Sequence, residues 1–214
     1  MPFKKLNPEL QKTLTSLEMT TPTLFESKSI PVIKSGANVY CVAPKDSGKT
    51  STLIITTLQK LKYRAIGNVP RAVALVESKE EASELYNLFL EYLKTSDLRI
   101  YLATEEIHVD IQKSEIAMGI DILISTPISM NKLFLSNGIN TSEVKILSVD
   151  DAEFLIQKSH YSAIMLLTRS IKKCQYVLYM EKMEPMLKRF KDYFMEFAKT
   201  VVVKERVEGE ENEN

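Results

Sequence analysis

Along most of the chain, apolar runs of strand length alternate with segments whose apolar residues recur at helical spacing. Near-continuous apolar stretches predict strands at residues 38–43, 72–77, 98–103, 120–125, 144–150, 175–180 and 200–204. Strands this poor in polar positions suit a parallel sheet covered on both faces, because each face must meet an apolar layer. Between them, residues 48–61 and 79–93 carry helical periodicity, the second through Ala82, Leu85, Leu88, Phe89 and Tyr92. Ser78 is a suitable N-cap for that second helix, and Glu81, three residues on, completes a capping box. Thr126 and Pro127 open another helix that runs toward Leu135 and closes at Ser136, Asn137 and Gly138. Residues 160–171 and 185–197 predict two more, and residues 6–17 and 23–34 form a helical preface ending in a turn at Ser35 and Gly36. The predicted class is α/β, a mostly parallel sheet with helices on both faces.

The chain has 214 residues, 44% of them hydrophobic. That suffices for one sizeable core, and no internal repeat or linker interrupts a single domain over 1–206, with 1–36 as the preface. Residues 207–214 turn acidic with nothing to bury, which predicts a disordered tail. Lys plus Arg and Asp plus Glu each total 28, so no global field draws the molecule onto nucleic acid or an anionic membrane. Any nucleic-acid contact must come from a local patch. Between Asp46 and Glu77 no acidic residue occurs, while Lys49, Lys60, Lys62, Arg64 and Arg71 accumulate; the stretch reads either as a solvated face or as an RNA-phosphate contact. The first residues form no apolar leader, and no apolar run approaches the roughly 18 residues a membrane helix needs, so a cytoplasmic chain with no membrane partner is expected. Cys41 and Cys174 sit in strand-like stretches and read as small hydrophobes. His108 and His160, far apart and without a cysteine cluster, read as surface residues and not zinc ligands. Tyr86, Phe89 and Tyr92 recur at helical spacing and read as packing residues in preference to a base-stacking platform.

The candidate chemistry lies just after the first strand. Ala43, Pro44, Lys45, Asp46, Ser47, Gly48, Lys49 and Thr50 connect it to a helix that continues with Ser51. Strand, loop and helix in this order are the context that a phosphate-binding loop requires, in which backbone N–H groups and the positive helix terminus cradle phosphates, Lys49 reaches their oxygens and the Thr50 hydroxyl holds magnesium; the same residues also read as a plain turn and helix cap, or as a loop of that shape that binds no nucleotide. The general pattern G-x-x-x-x-G-K-[ST] meets Ala43 at its first glycine. Asp46 adds a side chain where positive φ is expected and a carboxylate close to the phosphates.

From this loop outward, the order of short motifs resembles the first RecA-like domain of the DEAD-box RNA helicases across nearly the whole chain. The helicase loop A-x-x-G-x-G-K-T accepts Ala43 and demands glycine at Asp46. Upstream, Thr21-Pro22-Thr23-Leu24-Phe25-Glu26 followed by Ile30-Pro31 resembles the adenine-reading P-T-x-x-Q and I-P, with Glu26 in place of the glutamine and Met19 where an aromatic residue is expected. Downstream, Asp150-Asp151-Ala152-Glu153 stands where the family writes D-E-A-D. The resemblance implies a magnesium-side carboxylate at Asp150 and a water-positioning one at Asp151, one methylene shorter than glutamate. Glu77-Ser78-Lys79 and Thr126-Pro127 fall at two RNA-backbone motifs, P-T-R-E-L-A and T-P-G-R, and lack both arginines. Met180-Glu181-Lys182 replaces the S-A-T that couples hydrolysis to strand separation.

The resemblance implies a three-layer RecA-like P-loop NTPase fold, with ATP and magnesium as cofactors. Thr23, Glu26 and residues 43–51 would bind nucleotide, Thr50 and Asp150 metal, Lys49 and Asp151 would serve hydrolysis, and Ser78, Lys79, Thr126 and Pro127 would contact RNA. Helicases of this type complete their cleft with a second RecA-like unit whose arginines speed phosphoryl transfer by roughly 10³ to 10⁵, so slow hydrolysis without such a partner, and no unwinding by this unit alone, are expected. Two readings stand: an ATP- and magnesium-binding, helicase-like protein with weak or partner-dependent hydrolysis, and a catalytically inactive pseudo-helicase that serves as a protein or RNA interaction module.

Overall fold

In the computed structural model, which describes residues 2–171 and 173–204, all seven apolar runs become strands of one sheet. The predicted tail at 207–214 lies outside the described residues. A short 3-10 turn, Pro2–Lys5, precedes helices α1 (Pro8–Ser16) and α2 (Leu24–Lys34) of the preface. Then come β1 (Val39–Val42), α3 (Lys49–Lys60), β2 (Ala72–Leu75), α4 (Lys79–Leu93), β3 (Ile100–Ala103), α5 (Val109–Ala117), β4 (Ile122–Ser125) and α6 (Pro127–Leu135). The remainder is β5 (Ile146–Val149), a 3-10 turn Ala152–Ile156, α7 (Lys158–Ser170), β6 (Gln175–Met180), α8 (Pro185–Lys188), a 3-10 turn Arg189–Asp192 and β7 (Lys199–Val202). The strands lie in the order β3-β4-β2-β5-β6-β1-β7, and every pairing is parallel.

Alternation along the strands sorts the apolar residues into two layers. Val39, Cys41, Ala74, Ile124, Ile146, Val177 and Tyr179 face one layer with Leu10 of α1, Phe25 and Ile30 of α2, Leu53 and Ile54 of α3, and Phe89 of α4. Tyr40, Val73, Leu123, Leu147, Val149, Leu178 and Met180 face the other with Met130 and Leu133 of α6, Ile164 and Leu167 of α7, and Phe190. The single core expected from composition is therefore split by the sheet. Phe89 is fully buried, Tyr92 nearly so, and Tyr86 packs against the same layer, which makes all three packing residues.

Four expectations need correction. Residues 185–197 do not form one helix: α8 gives way to a 3-10 turn, and the N–H groups of Tyr193 and Met195 both reach the Phe190 carbonyl. Phe190 stacks on Tyr161 and tilts against Phe194, which meets Tyr176 edge-on, so ring packing overrides helical spacing there. Helix α5 was not anticipated, because Ile116 is its one buried apolar residue and no apolar stripe marks it. His160 is buried and not on the surface; it meets Phe154 edge-on at 5.0 Å, whereas His108 is exposed and caps α5. The basic stretch is not one patch. Lys49 is buried, Lys60 donates to Gln175, and Arg71 is 3% exposed.

Arg71 instead belongs to a buried ion network at the entrance of the sheet. Its Nε and Nη2 donate to Asp121 Oδ1 at 3.2 and 2.6 Å, while Arg99 donates its Nε to Oδ2 at 2.9 Å and its backbone N–H to the same oxygen at 3.1 Å. The three residues immediately precede β2, β3 and β4, so the network ties the starts of three neighbouring strands. Burial alone raises the Asp121 pKa, but the hydrogen bonds from Arg99 and Arg71 together outweigh it and leave the carboxyl below its ordinary range. A depressed carboxyl stabilises the fold above its unfolded-state pKa and loses that contribution as pH falls through the folded one. Asp121→Ala should lower the unfolding free energy by about 3 kcal/mol or more at neutral pH, because it strands buried guanidinium charge. Urea denaturation checks this, and the variant should also lose less stability than wild type on acidification below about pH 4.

Candidate functional site

The parallel sheet brings the carboxyl ends of β1, β2, β4, β5 and β6 to one edge. The Ala43 N–H donates to the Met180 carbonyl at 3.0 Å, and the Asp150 N–H to the Leu75 carbonyl at 3.0 Å. These bonds carry the register past the strand ends, setting residue 43 beside residue 181 and residue 150 beside residue 76.

The loop after β1 turns through two left-handed residues, Asp46 at φ +58° and Gly48 at φ +98°. Asp46 thus has the positive φ expected of its position. At Gly48 a Cβ would lie 3.1 Å from Thr23 Oγ1 and 3.3 Å from Glu26, so the close approach of α2 reinforces the need for glycine. Gly48 is also the N-cap of α3, and no side chain caps that helix. Its first N–H groups and the positive end of its dipole face the loop, as an anion site requires. Lys45, Asp46, Gly48, Lys49, Thr50, Ser51 and Asp151 line a cavity of about 330 Å³ in front of it.

Lys49 is 7% exposed and donates to the carbonyls of Ala43 at 3.2 Å and Pro44 at 3.1 Å. Its ammonium also stands 3.8 Å from Asp151 Oδ1 and 4.0 Å from Glu181 Oε1. Thr50 Oγ1 donates to Asp150 Oδ2 at 2.8 Å, so the expected metal pair meets although 100 residues separate it. Asp150 Oδ1 is buried and has no hydrogen-bond partner. Burial is the largest cause that pushes the Asp150 carboxyl up to about 6; the Thr50 hydroxyl and Lys49 oppose the shift, and Asp151 adds to it. A buried carboxylate with one oxygen unengaged beside a hydroxyl fits a divalent cation of oxygen preference, the magnesium that the loop implies. Among the described residues no group of three or more His, Cys, Asp or Glu could hold a metal, so phosphate oxygens or water would complete its shell. Asp151 adopts φ +42° and is largely exposed.

Glu26 is 2% exposed, and both its oxygens are engaged inside the protein. Oε2 accepts the Thr23 N–H at 2.8 Å and Oε1 the Ser51 hydroxyl at 2.6 Å, while the Thr23 hydroxyl accepts the Glu26 N–H and donates to the Ser47 carbonyl. Thr23 and Glu26 thus form the capping box of α2 and clamp the loop to it. The T-x-x-E spacing is the signal that could have found this. Met19 packs against the core and accepts the Tyr92 hydroxyl on its sulfur.

Ser78 and Thr126 cap α4 and α6, accepting the N–H groups of Glu81 and Ser129, and Pro127 is the first residue of α6. Lys79 pairs with Glu106 at 2.5 Å. Ser78, Lys79, Thr126, Glu77, Glu105 and Glu106 share the wall of a second cavity of about 330 Å³, where the basic contact expected for RNA is largely neutralised. Two participants escaped sequence reasoning. Glu153 accepts the N–H groups of Glu181 and Lys182 at 2.6 and 2.9 Å, fixing the exit from β6, and Glu181 faces Lys49. Neither pairing has a local sequence signal, because each joins residues about 28 or more positions apart.

The family model for the DEAD/DEAH box helicase matches residues 23–203. The chain is 27% identical over 172 residues to the ATP-dependent RNA helicase DBP9 of Coccidioides immitis, covering 78% of this chain and 28% of that protein. It is 30% identical over 148 residues to the DEAD-box ATP-dependent RNA helicase 57 of Arabidopsis thaliana, covering 69% and 27%. Among solved structures, a DEAD box protein from the hyperthermophile Methanococcus jannaschii superposes with a TM-score of 0.83 at 15% identity, over 94% of this chain and 54% of that one. Dbp5 of Saccharomyces cerevisiae bound to RNA and ADP BeF3 gives 0.82 at 18% identity, over 93% and 50%. The chain therefore spans little more than a quarter of these curated relatives and about half of the solved chains. The seven-stranded parallel sheet with its helices is the RecA-like fold of the DEAD-box structures.

If Glu26 clamps the loop, its removal must weaken the protein with no ligand present. Glu26→Ala should lower the unfolding free energy by about 2 kcal/mol, the sum of a lost cap contact and a lost buried hydrogen bond. An unchanged denaturant midpoint would rule the clamp out.

Proposed function

The chain belongs to the DEAD/DEAH box helicase family, and from that membership we propose that it binds an adenine nucleoside phosphate with magnesium at the 43–50 loop. The observation that carries this reading is the Thr50–Asp150 pair, with Asp150 Oδ1 unengaged, beside a helix terminus that no side chain caps. The N–H groups of the loop and of the first turn of α3 would take phosphate oxygens, and the Lys49 ammonium would neutralise them. Thr50 and Asp150 would hold magnesium, which when bound offsets the charge of the phosphate chain. Thr23 and Glu26 would act by holding the loop in shape, through the Ser47 carbonyl and the Ser51 hydroxyl.

Asp151 is the group that would orient an attacking water. Its shorter side chain and exposed position support slow hydrolysis, faster only when a second RecA-like unit or another protein supplies an arginine. RNA, where it binds, would meet the N-termini of α4 and α6 at Ser78, Lys79, Thr126 and Pro127, through backbone donors to phosphate. Glu77, Glu105 and Glu106 beside them support weak, salt-sensitive contact. One observation favours the second reading, an interaction module without nucleotide chemistry: a cavity of about 830 Å³ at the same edge is lined by Glu77, Glu81, Asp151, Glu153, Glu181 and Glu184.

A fluorescent adenine nucleotide should bind only with magnesium, and Lys49→Ala or Asp150→Asn should each weaken binding by about tenfold or more, the equivalent of one lost charge-assisted contact. Binding that ignores both magnesium and Lys49→Ala contradicts the proposal. Capture of a protein partner that nucleotide titration leaves unmoved supports the module instead.

A further inference from the structure

At the edge where the strands begin, away from the 43–50 loop, Lys34, Lys60 and Lys62 wall a cavity of about 180 Å³ together with Gln59 and Gln175, and no carboxylate among the described residues lines it. The fold assembles this wall from separate places. Lys34 ends α2, Lys60 ends α3, Gln175 opens β6, and the Gln175 N–H donates at 3.0 Å to the carbonyl of Lys145, the residue before β5. Gln175 is 4% exposed; its Nε2 donates to the carbonyls of Ile33 and Ala37, each at 2.7 Å, and its Oε1 accepts the Lys60 ammonium at 2.9 Å. A buried side chain thus holds Lys60 at the cavity. Lys62 is set by the backbone: it and Tyr63 adopt φ +58° and +55°, uncommon for residues with a side chain, and Asn7 donates to the Lys62 carbonyl at 3.2 Å.

These lysines are not neutralised from within. Among the described residues none of Lys34, Lys60, Lys62 and Lys145 has a carboxylate within ion-pair distance. Asp121, at the same edge, is taken by Arg71 and Arg99; Glu9, two residues beyond Asn7, is taken by Lys12; Glu143 lies two residues before Lys145. Helices α2 and α3 end here, and their dipoles set about half a negative elementary charge each against the four lysines, so a positive field remains. Burial, the largest cause, and the Lys145 charge lower the Lys60 pKa, as befits a cation held among cations. Lys34 gives one donor to the Lys5 carbonyl and Lys60 one to Gln175, which leaves each ammonium two to offer.

We infer that Lys34, Lys60, Lys62 and Lys145 form a phosphate-binding site at this edge and that the RNA backbone is its ligand. The inference rests on the RNA contact proposed above and moves the firmer part of it away from α4 and α6. At those termini Glu77, Glu105 and Glu106 share a wall with one lysine, Lys79, and repel a phosphate chain. Here the balance is reversed. Lys60 is partly buried while Lys34, Lys62 and Lys145 are exposed, so a phosphate meets an anchored ammonium with mobile ones around it. Of the stretch free of acidic residues between Asp46 and Glu77, Lys60 and Lys62 gain their companions from other parts of the chain. Contacts of this kind read no base and weaken as salt rises.

The test is fluorescence anisotropy of a labelled single-stranded RNA of mixed sequence at several salt concentrations. It compares wild type with the double variant Lys34→Gln/Lys62→Gln, with Lys145→Gln and with Lys79→Gln. All four side chains are outside the core, so the variants should keep the wild-type denaturant midpoint. The double variant should bind about tenfold more weakly and Lys145→Gln about threefold, with the slope of log affinity against log salt flattened by about 0.7 for each lost phosphate contact. Lys79→Gln should stay within about twofold of wild type. Unchanged affinity in both the double variant and Lys145→Gln, or a larger loss in Lys79→Gln than in the double variant, overturns the inference and leaves the RNA contact at α4 and α6 standing. Release of the RNA by poly-glutamate or inorganic phosphate, at equal ionic strength, as readily as by unlabelled RNA overturns RNA as the ligand. Failure of wild type to bind the RNA overturns the inference together with the RNA reading on which it rests.

Discussion

Seven strands run in the same direction, and the chemistry of the molecule depends on that constraint. A parallel ladder requires a crossover between consecutive strands, and a crossover helix begins near the carboxyl end of the strand before it. The starts of α3, α4 and α6 therefore gather at one edge, after β1, β2 and β4. Each contributes unsatisfied N–H groups and the positive end of a dipole. Two of the three termini are closed by their own residues, Ser78 with Glu81 on α4 and Thr126 on α6. The α3 terminus is not closed in this way, because the residue at its cap is a glycine with no side chain.

Against this convergence of helix termini the chain sets an unusual number of carboxylates. Asp46 stands in the loop, Asp151 and Glu181 face its lysine, Glu153 pins the turn after β6, and Glu77, Glu105 and Glu106 line the second cavity. On the reading proposed above, these carboxylates moderate the field around a phosphate site. Gly48, the Thr23–Glu26 box and the Thr50–Asp150 bond hold the loop in shape. Asp46 lines the loop cavity, and Asp151 and Glu181 stand 3.8 and 4.0 Å from the Lys49 ammonium.

Much of the fold was legible in the sequence because burial on both faces leaves unbroken apolar runs, and β2, β4, β5 and β6 are buried along their whole length. The helix starts at Ser78 and Thr126 were legible from local capping chemistry. Helix α5 was not, since it buries Gln112 and Ile116 and presents Ile111 to solvent. The segment after Pro185 misled, because Leu187, Phe190 and Phe194 keep helical spacing while the Phe190 and Phe194 rings pack against Tyr161 of α7 and Tyr176 of β6. In the site, the order of the motifs along the chain anticipated the turn of the loop and the pairing of Thr50 with Asp150. The partners of Lys49 were not, because Glu181 reaches it across the register of β1 and β6. Arg71 looked like a surface cation for the same reason; its partner Asp121 lies 50 residues away.

The central claim is that the α3 terminus, Lys49 and the Thr50–Asp150 pair form a working nucleotide and magnesium site despite the carboxylates around it. Thermal unfolding of the wild-type chain tests it without any substitution, since a ligand that binds only the folded state stabilises it by about 2.7 kcal/mol at one hundred times its dissociation constant. The account predicts a higher midpoint with ADP and magnesium together, and little or no change with either alone. An unmoved midpoint with both present contradicts it.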